Sequence, residues 1–549
     1  MPRGGSVGNE DDTKMGLIPS ATIQARMISM FTRTARWLFS TLKESPRPVR
    51  STRRRAGRVS ESKMSQPGGP AGVAPGKLSV AAAAKKRTVA SLLCFAGCRT
   101  MHADMHDNTP SLDRRSFLKL TGTALGALGF PTLIPSHVLG ADGQTPPSRQ
   151  FVVAHIGTGG MGGTHLANML RFQQEGKVRI AAVCDCDDNR LEAAWENTGK
   201  KATPYRDYRY ILERKDIDCV LIATPDHWHA LQTVHACQSG KHVYVEKPSS
   251  VTVREGQAMV KAARENKVAV QVGAQARTAK GAWHTCRAIR NGIVGKVSKV
   301  TCWHYASPAD DSPVPDSAPP EGLDWDLWLG PLPWRPYNRR YQPGTFRWLM
   351  ESGGGQIRDR GAHQFSTILW CMNADHQTSF TVEASGTLPT KGLWDTAIDM
   401  NARFQFRNPD WTLEWGQPGN KVGQLEFGNV FWGENGHLVQ EWEGGYKPAN
   451  PEAINFKLPP GGQEVYRTDE YEDFNMNHKA DWFKSIREGH LRPAVDIEIA
   501  HRTATLCNLA NISMMLGRKL VWNGDRQEVV GDEAANRMLS KPQRYPYCL

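Results

Sequence analysis

The sequence predicts an α/β protein, with an N-terminal doubly wound parallel sheet and a C-terminal α+β domain built on a large mixed or antiparallel open sheet. Three observations lead to this fold class. A continuous apolar run at residues 151–156 is followed at once by a glycine-rich turn. Apolar runs of strand length then alternate with helical stretches as far as residue 272, as in a sheet with crossover helices. From residue 276 onward, Gly, Asn and Pro separate the strand-like runs instead.

The excess positive charge lies in the first 150 residues. That segment holds 22 Lys and Arg residues but only 9 Asp and Glu residues, which accounts for the whole net charge of +13. The remaining 399 residues hold 46 of each sign. A nucleic-acid-binding protein carries a basic patch on its folded domain, so this distribution argues against nucleic acid as a partner.

The segment before the first predicted strand divides into two parts. Residues 1–104 are rich in Arg, Ser, Ala, Gly and Pro without apolar periodicity, which predicts disorder or an artefact of the gene start. Residues 105–148 contain Arg114 and Arg115 before a short, glycine-interrupted apolar stretch, which resembles a twin-arginine signal peptide and linker. This stretch is too short for a stable membrane span. We therefore expect a periplasmic or exported protein that uses the twin-arginine export machinery.

A signal of this kind acts near the true N-terminus. We therefore expect translation to start at Met101 or Met105, shortly before the two arginines.

The glycine-rich turn predicts a dinucleotide site. Its residues are Gly157, Thr158, Gly159, Gly160, Met161 and Gly162. In a G-x-G-x-x-G turn the first glycine permits the tight bend, the second lets the backbone approach a pyrophosphate, and the third lets the helix pack on the strand. The phosphates then lie at the helix N-terminus, where free N–H groups and the helix dipole favour an anion.

The next apolar run, 178–184, ends in Asp185, which lies 23 residues after Gly162. An acidic residue at about this spacing meets the ribose hydroxyls of the dinucleotide. A carboxylate repels a 2′-phosphate, so Asp185 favours NAD over NADP. Arg190 lies close enough in sequence to weaken that preference, and both cofactors stay open.

Three further apolar runs, 219–223, 242–245 and 268–272, alternate with helical stretches at 229–238 and 254–266. Residues 149–275 are therefore predicted to form an NAD(P)-binding Rossmann domain. The loops that follow such strands line the ligand crevice of a doubly wound sheet.

Two of these loops resemble those of a known family. The matches are Thr224, Pro225 and His229 to a T-P-x-x-x-H loop, and Glu246, Lys247 and Pro248 to an E-K-P loop. With the glycine turn, they resemble the Gfo/Idh/MocA oxidoreductases, named for glucose–fructose oxidoreductase and inositol dehydrogenase. The likeness continues through residues 325–330, 353–363 and 496–522 and covers about residues 150–540.

The resemblance implies a cis peptide between Lys247 and Pro248. It also implies that Glu246 and Lys247 approach the nicotinamide ribose and the substrate. The residues expected to bind the cofactor in these loops and just after them are Thr224, Pro225, His229, Glu246, Lys247 and Gln275.

The resemblance further implies a catalytic centre made of Lys247, Asp359 and His363. Asp359 and His363 are four residues apart, which on a helix places them on one face. His363 is the expected base, because an imidazole titrates near neutrality. Lys247 would bind the hydroxyl and stabilise developing alkoxide charge. Asp359 would orient His363 or a neighbouring sugar hydroxyl.

Residues 276–549 are expected to form the substrate-binding and oligomerisation domain. Strand-like stretches occur at 297–305, 378–387, 398–407 and 430–432, and two late helices near 478–488 and 497–516 are expected to cover the sheet. In relatives the open sheet face pairs between subunits, so we expect a homo-oligomer.

The function implied is hydride transfer between a secondary alcohol of a sugar or polyol and NAD or NADP. One alternative is a redox-neutral glycosidase or lyase that uses tightly bound NAD transiently. Export favours a retained cofactor, because no cytoplasmic NAD pool exists outside the cell. A second alternative is a non-catalytic nucleotide-binding sensor.

The sequence predicts no metal site, although His227 and His229 could form half of one.

Four tryptophans, Trp325, Trp328, Trp334 and Trp348, are candidates for stacking on a sugar ring, or else for packing a loop against the core.

Overall fold

The computed structural model describes residues 150–310, 312–342, 344–442 and 446–549. The predicted disordered segment 1–104 and signal segment 105–148 lie outside the described residues. Within the described ranges, no helix combines the length and apolar character needed to cross a membrane.

The first half of the described chain forms a six-stranded, entirely parallel sheet. Its strands are β1 (Phe151–Ile156), β2 (Val178–Cys184), β3 (Thr203–Tyr205), β4 (Cys219–Ile222), β5 (His242–Glu246) and β6 (Val270–Gly273). The order is β3-β2-β1-β4-β5-β6, which is the usual order of a Rossmann sheet. Strands buried on both faces read as continuous apolar runs, which explains why all but the short β3 could be found from sequence. The order reverses beside β1, where a doubly wound sheet opens its ligand crevice.

Five helices connect these strands. They are α1 (Gly160–Gln174), α2 (Asp188–Asn197), α3 (Arg209–Glu213), α4 (Asp226–Gln238) and α5 (Val253–Glu265). Helix α1 begins inside the glycine turn, earlier than the apolar pattern from His165 suggested. Glycine has low helix propensity, so this first turn depends on tertiary contacts rather than on local preference.

The second half contains a nine-stranded mixed sheet in the order β13-β12-β11-β7-β10-β9-β8-β14-β15. Its strands are β7 (Val297–Trp303), β8 (Phe380–Thr387), β9 (Asp399–Phe406), β10 (Trp411–Gln417), β11 (Gly428–Gly433), β12 (Gly436–Glu441), β13 (Lys447–Pro448), β14 (Leu520–Asn523) and β15 (Glu528–Val529). Only β7 and β10 pair in parallel; the other paired strands are antiparallel. The predicted α+β domain with a large mixed open sheet is confirmed.

The helices of this half are α6 (Lys280–Arg290), α7 (Trp325–Leu329), α8 (Gln356–Asp359), α9 (Gly361–Cys371), α10 (Pro451–Ile454), α11 (Phe474–Glu488), α12 (Ile497–Leu516) and α13 (Glu533–Arg537). Residues from α6, α9 and α12 share the main buried core with one face of the nine-stranded sheet.

The expectation that both late helices cover the second sheet is wrong for α11. Its Met476, Trp482 and Phe483 pack instead with Val153 and Leu166 of the parallel sheet and helix α1. An uncovered face of a parallel sheet would expose apolar side chains to water, and α11 provides the cover. A helix from the second half of the chain therefore completes the buried core of the Rossmann domain.

A buried lysine reinforces this contact between the two halves. Lys479 of α11 is fully buried, and its Nζ donates hydrogen bonds to Asn168 Oδ1 (3.0 Å) and to the Asn475 carbonyl (3.1 Å). Burial lowers the pKa of Lys479 to about 7. An unpaired charge would be costly at this position, so the two oxygen acceptors matter to its stability.

Side chains along β9 point alternately to the two faces of the sheet, so two neighbouring substitutions can test which face belongs to the core. Phe404 is fully buried between the sheet and the helices, whereas the adjacent Arg403 is exposed and lies 3.9 Å from Glu414 in a surface ion pair. Phe404→Ala should lower the free energy of unfolding by about 3–5 kcal/mol, because it leaves a cavity. Arg403→Ala should change it by less than about 1 kcal/mol. Urea unfolding of both variants measures this difference, and equal losses would contradict the assignment.

Candidate functional site

A cleft of about 350 Å³ opens at the carboxyl edge of the parallel sheet. It is lined by the glycine turn, by the ends of β2, β4 and β5, and by residues 327–347 of the second half. The predicted cofactor residues that line it are Gly157, Gly159, Gly160, Met161, Asp185, Arg190, Thr224, Pro225, His229, Glu246 and Lys247. Thr158, Gly162 and Gln275 lie behind this surface.

The glycine turn has the geometry of a phosphate cradle. Gly157 has φ +84°, and a side chain there would place its Cβ 2.7 Å from the carbonyl carbon of Ala223. A Cβ on Gly162 would collide with the carbonyl oxygen of Gly157. No side chain caps the N-terminus of α1. The turn therefore leaves the N-terminus of α1 without a capping side chain, as an anion site at this position requires.

Asp185 lies beside this turn at the end of β2. Its Oδ2 accepts hydrogen bonds from the backbone N–H of Thr158 (2.9 Å) and from Thr158 Oγ1 (3.1 Å), and its Oδ1 accepts one from the Asp187 N–H (3.1 Å). These bonds hold the carboxylate at the cleft wall, where ribose hydroxyls would reach it. The Arg190 guanidinium lies next to Gly159 at the same end of the cleft.

His229 connects the two loops that carried the family resemblance. Its Nδ1 lies 2.8 Å from the Pro248 carbonyl oxygen, and its Nε2 lies 2.8 Å from the Thr224 carbonyl oxygen. The predicted cis peptide at Lys247–Pro248 is present. His229 thus fixes the Thr224 loop to the loop that carries Lys247, in addition to lining the cleft.

Glu246 is held by three neighbours. His165 Nε2 lies 2.8 Å from Glu246 Oε1, Gln275 Nε2 donates to the same oxygen at 2.7 Å, and the Lys247 backbone N–H donates to Oε2 at 3.1 Å. Burial would raise the pKa of Glu246, but the His165 hydrogen bond and nearby positive charges lower it to about 2. Gln275, predicted as a cofactor contact, here supports Glu246 from behind. His165 was not predicted, because a histidine on a helix gives no sequence signal of its partner.

Of the three residues of the predicted catalytic centre, Lys247 lines the cleft and contacts Asp359, and His363 lies close enough for the charges of both to act on its ring. Lys247 Nζ lies 2.5 Å from Asp359 Oδ1 and 3.1 Å from the Asp359 carbonyl oxygen. The expectation that Asp359 and His363 share one continuous helix is wrong, because α8 ends at Asp359 and α9 begins at Gly361. The His363 N–H bonds the Arg360 carbonyl (3.0 Å), so the Asp359 carbonyl is free to accept from Lys247.

Three cations surround the Asp359 carboxylate. Besides Lys247, Arg347 Nε donates to Oδ1 at 3.1 Å and Arg360 Nε lies 3.4 Å from Oδ2. Burial alone would raise the pKa of Asp359, but these cations hold it well below its ordinary value. Asp359 is thus a fixed anion that holds Lys247, rather than a bond partner of the His363 ring. Arg347 and Arg360 were not predicted, since arginines at these positions form no recognisable sequence motif with Asp359.

The pKa of His363 is lower than the near-neutral value that the sequence suggested. Burial, followed by the positive charge of Lys247, lowers the pKa of His363 to about 3. The ring is therefore neutral at pH 7. Its Nδ1 is buried and has no hydrogen-bond partner among the described residues. A neutral imidazole can accept a proton on its unprotonated nitrogen.

Asp226, also missed from sequence, lines the cleft close to this centre. It is buried, its Oδ2 makes no hydrogen bond within the described chain, and burial raises its pKa to about 6.

The tryptophans considered for sugar stacking have mainly structural contacts. Trp325 and Trp328 stack on each other with ring centroids 4.8 Å apart and belong to a buried cluster, although Trp328 also reaches the cleft wall. Trp348 packs against that cluster, and Trp334 is 53% exposed.

His227 Nε2 lies 2.9 Å from the Trp328 carbonyl oxygen. In the described residues no group of three or more His, Cys, Asp or Glu side chains is arranged to hold a metal ion.

The chain belongs to the Gfo/Idh/MocA oxidoreductase family. Residues 151–274 match the family's NAD-binding Rossmann fold, and residues 287–405 and 465–549 match its C-terminal alpha/beta domain. The family assignment made from the loop motifs is confirmed. The glycine turn and Asp185 fit the NAD that this Rossmann fold binds.

Individual relatives match shorter stretches. Inositol 2-dehydrogenase of Salmonella typhimurium is 31% identical over 169 residues, which is 31% of this chain and 48% of the relative. Alpha-N-acetylgalactosaminidase of Shewanella oneidensis is 30% identical over 165 residues, covering 26% of this chain and 35% of the relative. The chain thus spans about half the length, or less, of these curated relatives.

Among solved structures, a levoglucosan dehydrogenase in complex with NADH and L-sorbose is similar to this chain. It superimposes with a TM-score of 0.51 at 18% identity, over 68% of this chain and 99% of that one. At this identity the likeness supports the fold alone.

The glycine turn can be tested with two neighbouring glycines. Gly162→Ala should weaken NADH binding by about tenfold or more, because the added methyl collides with the Gly157 carbonyl and distorts the turn. Gly163→Ala is the matched control, since a Cβ there meets only the Thr158 carbonyl oxygen at 3.4 Å. Calorimetric titration with NADH and NADPH measures both. Equal affinity in the two variants would show that the turn does not hold the nucleotide.

Proposed function

We propose that this protein is an NAD(P)-dependent oxidoreductase that transfers hydride between a nicotinamide cofactor and a secondary alcohol of a sugar or polyol. The observation that carries the proposal is the position of Lys247. It lines the cleft, it is bonded to Asp359, and its charge acts on the nearby His363 ring. Membership of an oxidoreductase family with an NAD-binding domain supports it.

Each residue of this centre has a distinct part in the proposed reaction. When bound, the oxidised nicotinamide supplies the acceptor for hydride. Neutral His363 takes the hydroxyl proton as the hydride leaves carbon. Lys247 donates a hydrogen bond to the same oxygen and stabilises the charge that develops on it. Asp359, held ionised by three cations, keeps the Lys247 ammonium in place.

For the cofactor, we favour NAD over NADP. The ordered Asp185 carboxylate would repel a 2′-phosphate, whereas Arg190 and Arg206, which line the same cleft, would tolerate it. We also propose that the protein is exported by the twin-arginine machinery and that its cofactor is tightly bound, because an exported protein would work away from the cytoplasmic pool. We further propose that the protein forms a homo-oligomer through its second domain.

A redox-neutral glycosidase that uses bound NAD transiently is the second candidate. The relatives named glycosyl hydrolase family 109 proteins favour it, since they match over a stretch similar in length to the dehydrogenase match. A non-catalytic sensor is disfavoured because Lys247, Asp359 and His363 are all present in one centre.

One experiment separates these functions. The purified protein is denatured to identify any released nucleotide, and fresh protein is then incubated with a panel of sugars, polyols and glycosides. A lasting change in NADH absorbance supports net oxidation. Glycoside cleavage without a net change supports the second candidate. Failure to find or bind any nucleotide would overturn both.

Lys247→Ala should lower kcat by about 10²–10⁴-fold while nucleotide binding is retained, because it removes the donor to the reacting oxygen. Lys261→Ala is the control, since Lys261 is an exposed lysine on α5 that pairs only with Glu265 in the described chain. Steady-state kinetics and NADH titration are measured on both variants. Unchanged turnover in Lys247→Ala would remove this residue from the proposed role.

The pH dependence of kcat/KM should reflect His363. Its lowered pKa keeps the ring neutral well below pH 6.5, so activity should hold as pH falls through 6.5 and decline only at lower pH. The charged groups that act on the ring are Lys247, Glu246, Asp359 and Arg360. His363→Gln should lower the rate and abolish this acidic decline. A wild-type midpoint at or above 6.5 would contradict the proposed environment of His363.

A further inference from the structure

We propose that residues 322–330, here called the clasp, form the outer wall of the nucleotide cleft, so that a nicotinamide cofactor enters and leaves only when the clasp moves away. The clasp belongs to the second half of the chain and contains the short helix α7. The inference rests on the tightly held cofactor of the proposed function and names the segment that retains it.

The first end of the clasp is bound to the loop that follows β2. The Asp188 N–H donates to the Gly322 carbonyl at 3.1 Å, and the Asp324 N–H donates to the Cys186 carbonyl at 2.9 Å. Between these two bonds the loop and the clasp form an isolated antiparallel β-bridge. Arg206 Nη2 also donates to the Gly322 carbonyl, at 3.0 Å. These bonds fix the clasp to the cleft wall on the β2 side.

The second end of the clasp is bound to the start of α4, which follows β4. The Trp228 indole N–H donates to the carbonyls of Leu327 (3.0 Å) and Trp328 (3.1 Å). His227 Nε2 lies 2.9 Å from the same Trp328 oxygen. The side of the clasp that makes these bonds also reaches the ligand space, because Leu327 and Trp328 line the cleft together with Trp228.

The order of the strands shows what the clasp crosses. Strands β2 and β4 lie on either side of β1, and the glycine turn follows β1. A segment bound to the loops after both β2 and β4 therefore spans the crevice into which the glycine turn opens. A nucleotide in this crevice would be enclosed between those loops and the clasp. Such enclosure buries most of a ligand's surface and slows its release.

The clasp packs closely against α4. Gly330 has φ +48°, and a side chain there would place its Cβ 2.1 Å from Cζ2 of the Trp228 indole. Within the clasp, Asp324 Oδ1 accepts a hydrogen bond from the Leu327 N–H at 2.9 Å and so caps α7. The clasp is therefore an ordered element in contact with the cleft wall, rather than a loop that passes above it.

Residues that follow α13 hold the clasp in this position. Arg544 Nε donates to the Gly330 carbonyl at 3.0 Å, its Nη2 donates to the Asp326 carbonyl at 2.9 Å, and its Nη1 pairs with the Asp326 carboxylate. Tyr547 Oη donates to Asp326 Oδ2 at 3.3 Å, and the Tyr547 ring centroid lies 5.3 Å from that of Trp228. Arg544 does not line the cleft, so its effect on a nucleotide acts through the clasp.

The contacts that hold the clasp are made within the protein, and this gives the clasp a distinct kinetic signature. Weakening these contacts makes opening easier, so the nucleotide enters and leaves faster while Kd changes little. Loss of a direct contact with the ligand instead raises the release rate and Kd together.

Arg544→Gln should raise both the association and the release rate constants of NADH about tenfold, and should change Kd by less than about threefold. Arg537→Gln is the matched control, since Arg537 is an exposed arginine of α13 that pairs only with Glu533 in the described chain. Release is measured by mixing NADH-loaded protein with excess NAD and following NADH fluorescence, and association by stopped flow. Unchanged rates, or faster release with unchanged association, would overturn the proposal.

A second variant and a second measurement test the clasp without its Arg544 contacts. Gly330→Ala should displace the clasp from Trp228 and raise both rate constants in the same way, because the added methyl collides with the indole. Hydrogen exchange of residues 322–330 in the NADH-loaded protein should become faster in both variants, while exchange of residues 151–156 stays as in the wild type. Faster NADH exchange with unaltered protection of the clasp would contradict the inference.

None of these measurements requires turnover, which keeps the clasp distinct from the proposed function. If NADH exchange follows the expected pattern but no alcohol is oxidised, the clasp is supported and the proposed hydride transfer fails. If alcohols are oxidised while Arg544→Gln and Gly330→Ala exchange NADH at wild-type rates, the clasp is overturned and the oxidoreductase function is unaffected.

Discussion

The contact between Lys247 and Asp359 is the interaction on which the rest of the site depends. It joins the end of a strand in the parallel sheet to a short helix of the second half, and it uses both the carboxylate and the backbone carbonyl of Asp359. The break after α8 is what makes the carbonyl available, because a continuous helix would bond it to the His363 N–H. The break between α8 and α9 thus accompanies a contact between the parallel sheet and the second half of the chain.

The surroundings of this contact are organised to keep its charges in place. Arg347 and Arg360 keep Asp359 ionised, and His165 and Gln275 hold Glu246 directly below the Lys247 peptide. His229 fixes the neighbouring loop to the cis peptide. Buried charges are stable only where such partners surround them, so the site needs supporting residues both at the cleft wall, such as Arg347 and His229, and behind it, such as His165 and Gln275.

Sequence reasoning succeeded where local patterns determine structure and failed where partners are distant in sequence. The strands of the parallel sheet, the glycine turn and the E-K-P loop were predicted because burial periodicity and steric demands act over a few residues. Arg347, Arg360 and His165 were missed, since each acquires its role only when separate elements of the chain meet. The prediction of one helix through Asp359 and His363 was wrong, and the Asp359 carbonyl instead accepts a hydrogen bond from Lys247, more than 100 residues away in sequence.

The packing of α11 on the parallel sheet bears on how the chain can fold during synthesis. Strands β1 to β6 are complete once residue 273 has been made, but the helix that covers one face of them ends at residue 488. More than 200 residues must therefore be synthesised while Val153 and Leu166 lack their final cover. An apolar sheet face left open for that interval is a natural target for a chaperone. The order of these elements along the chain therefore delays completion of the Rossmann core until α11 has been synthesised.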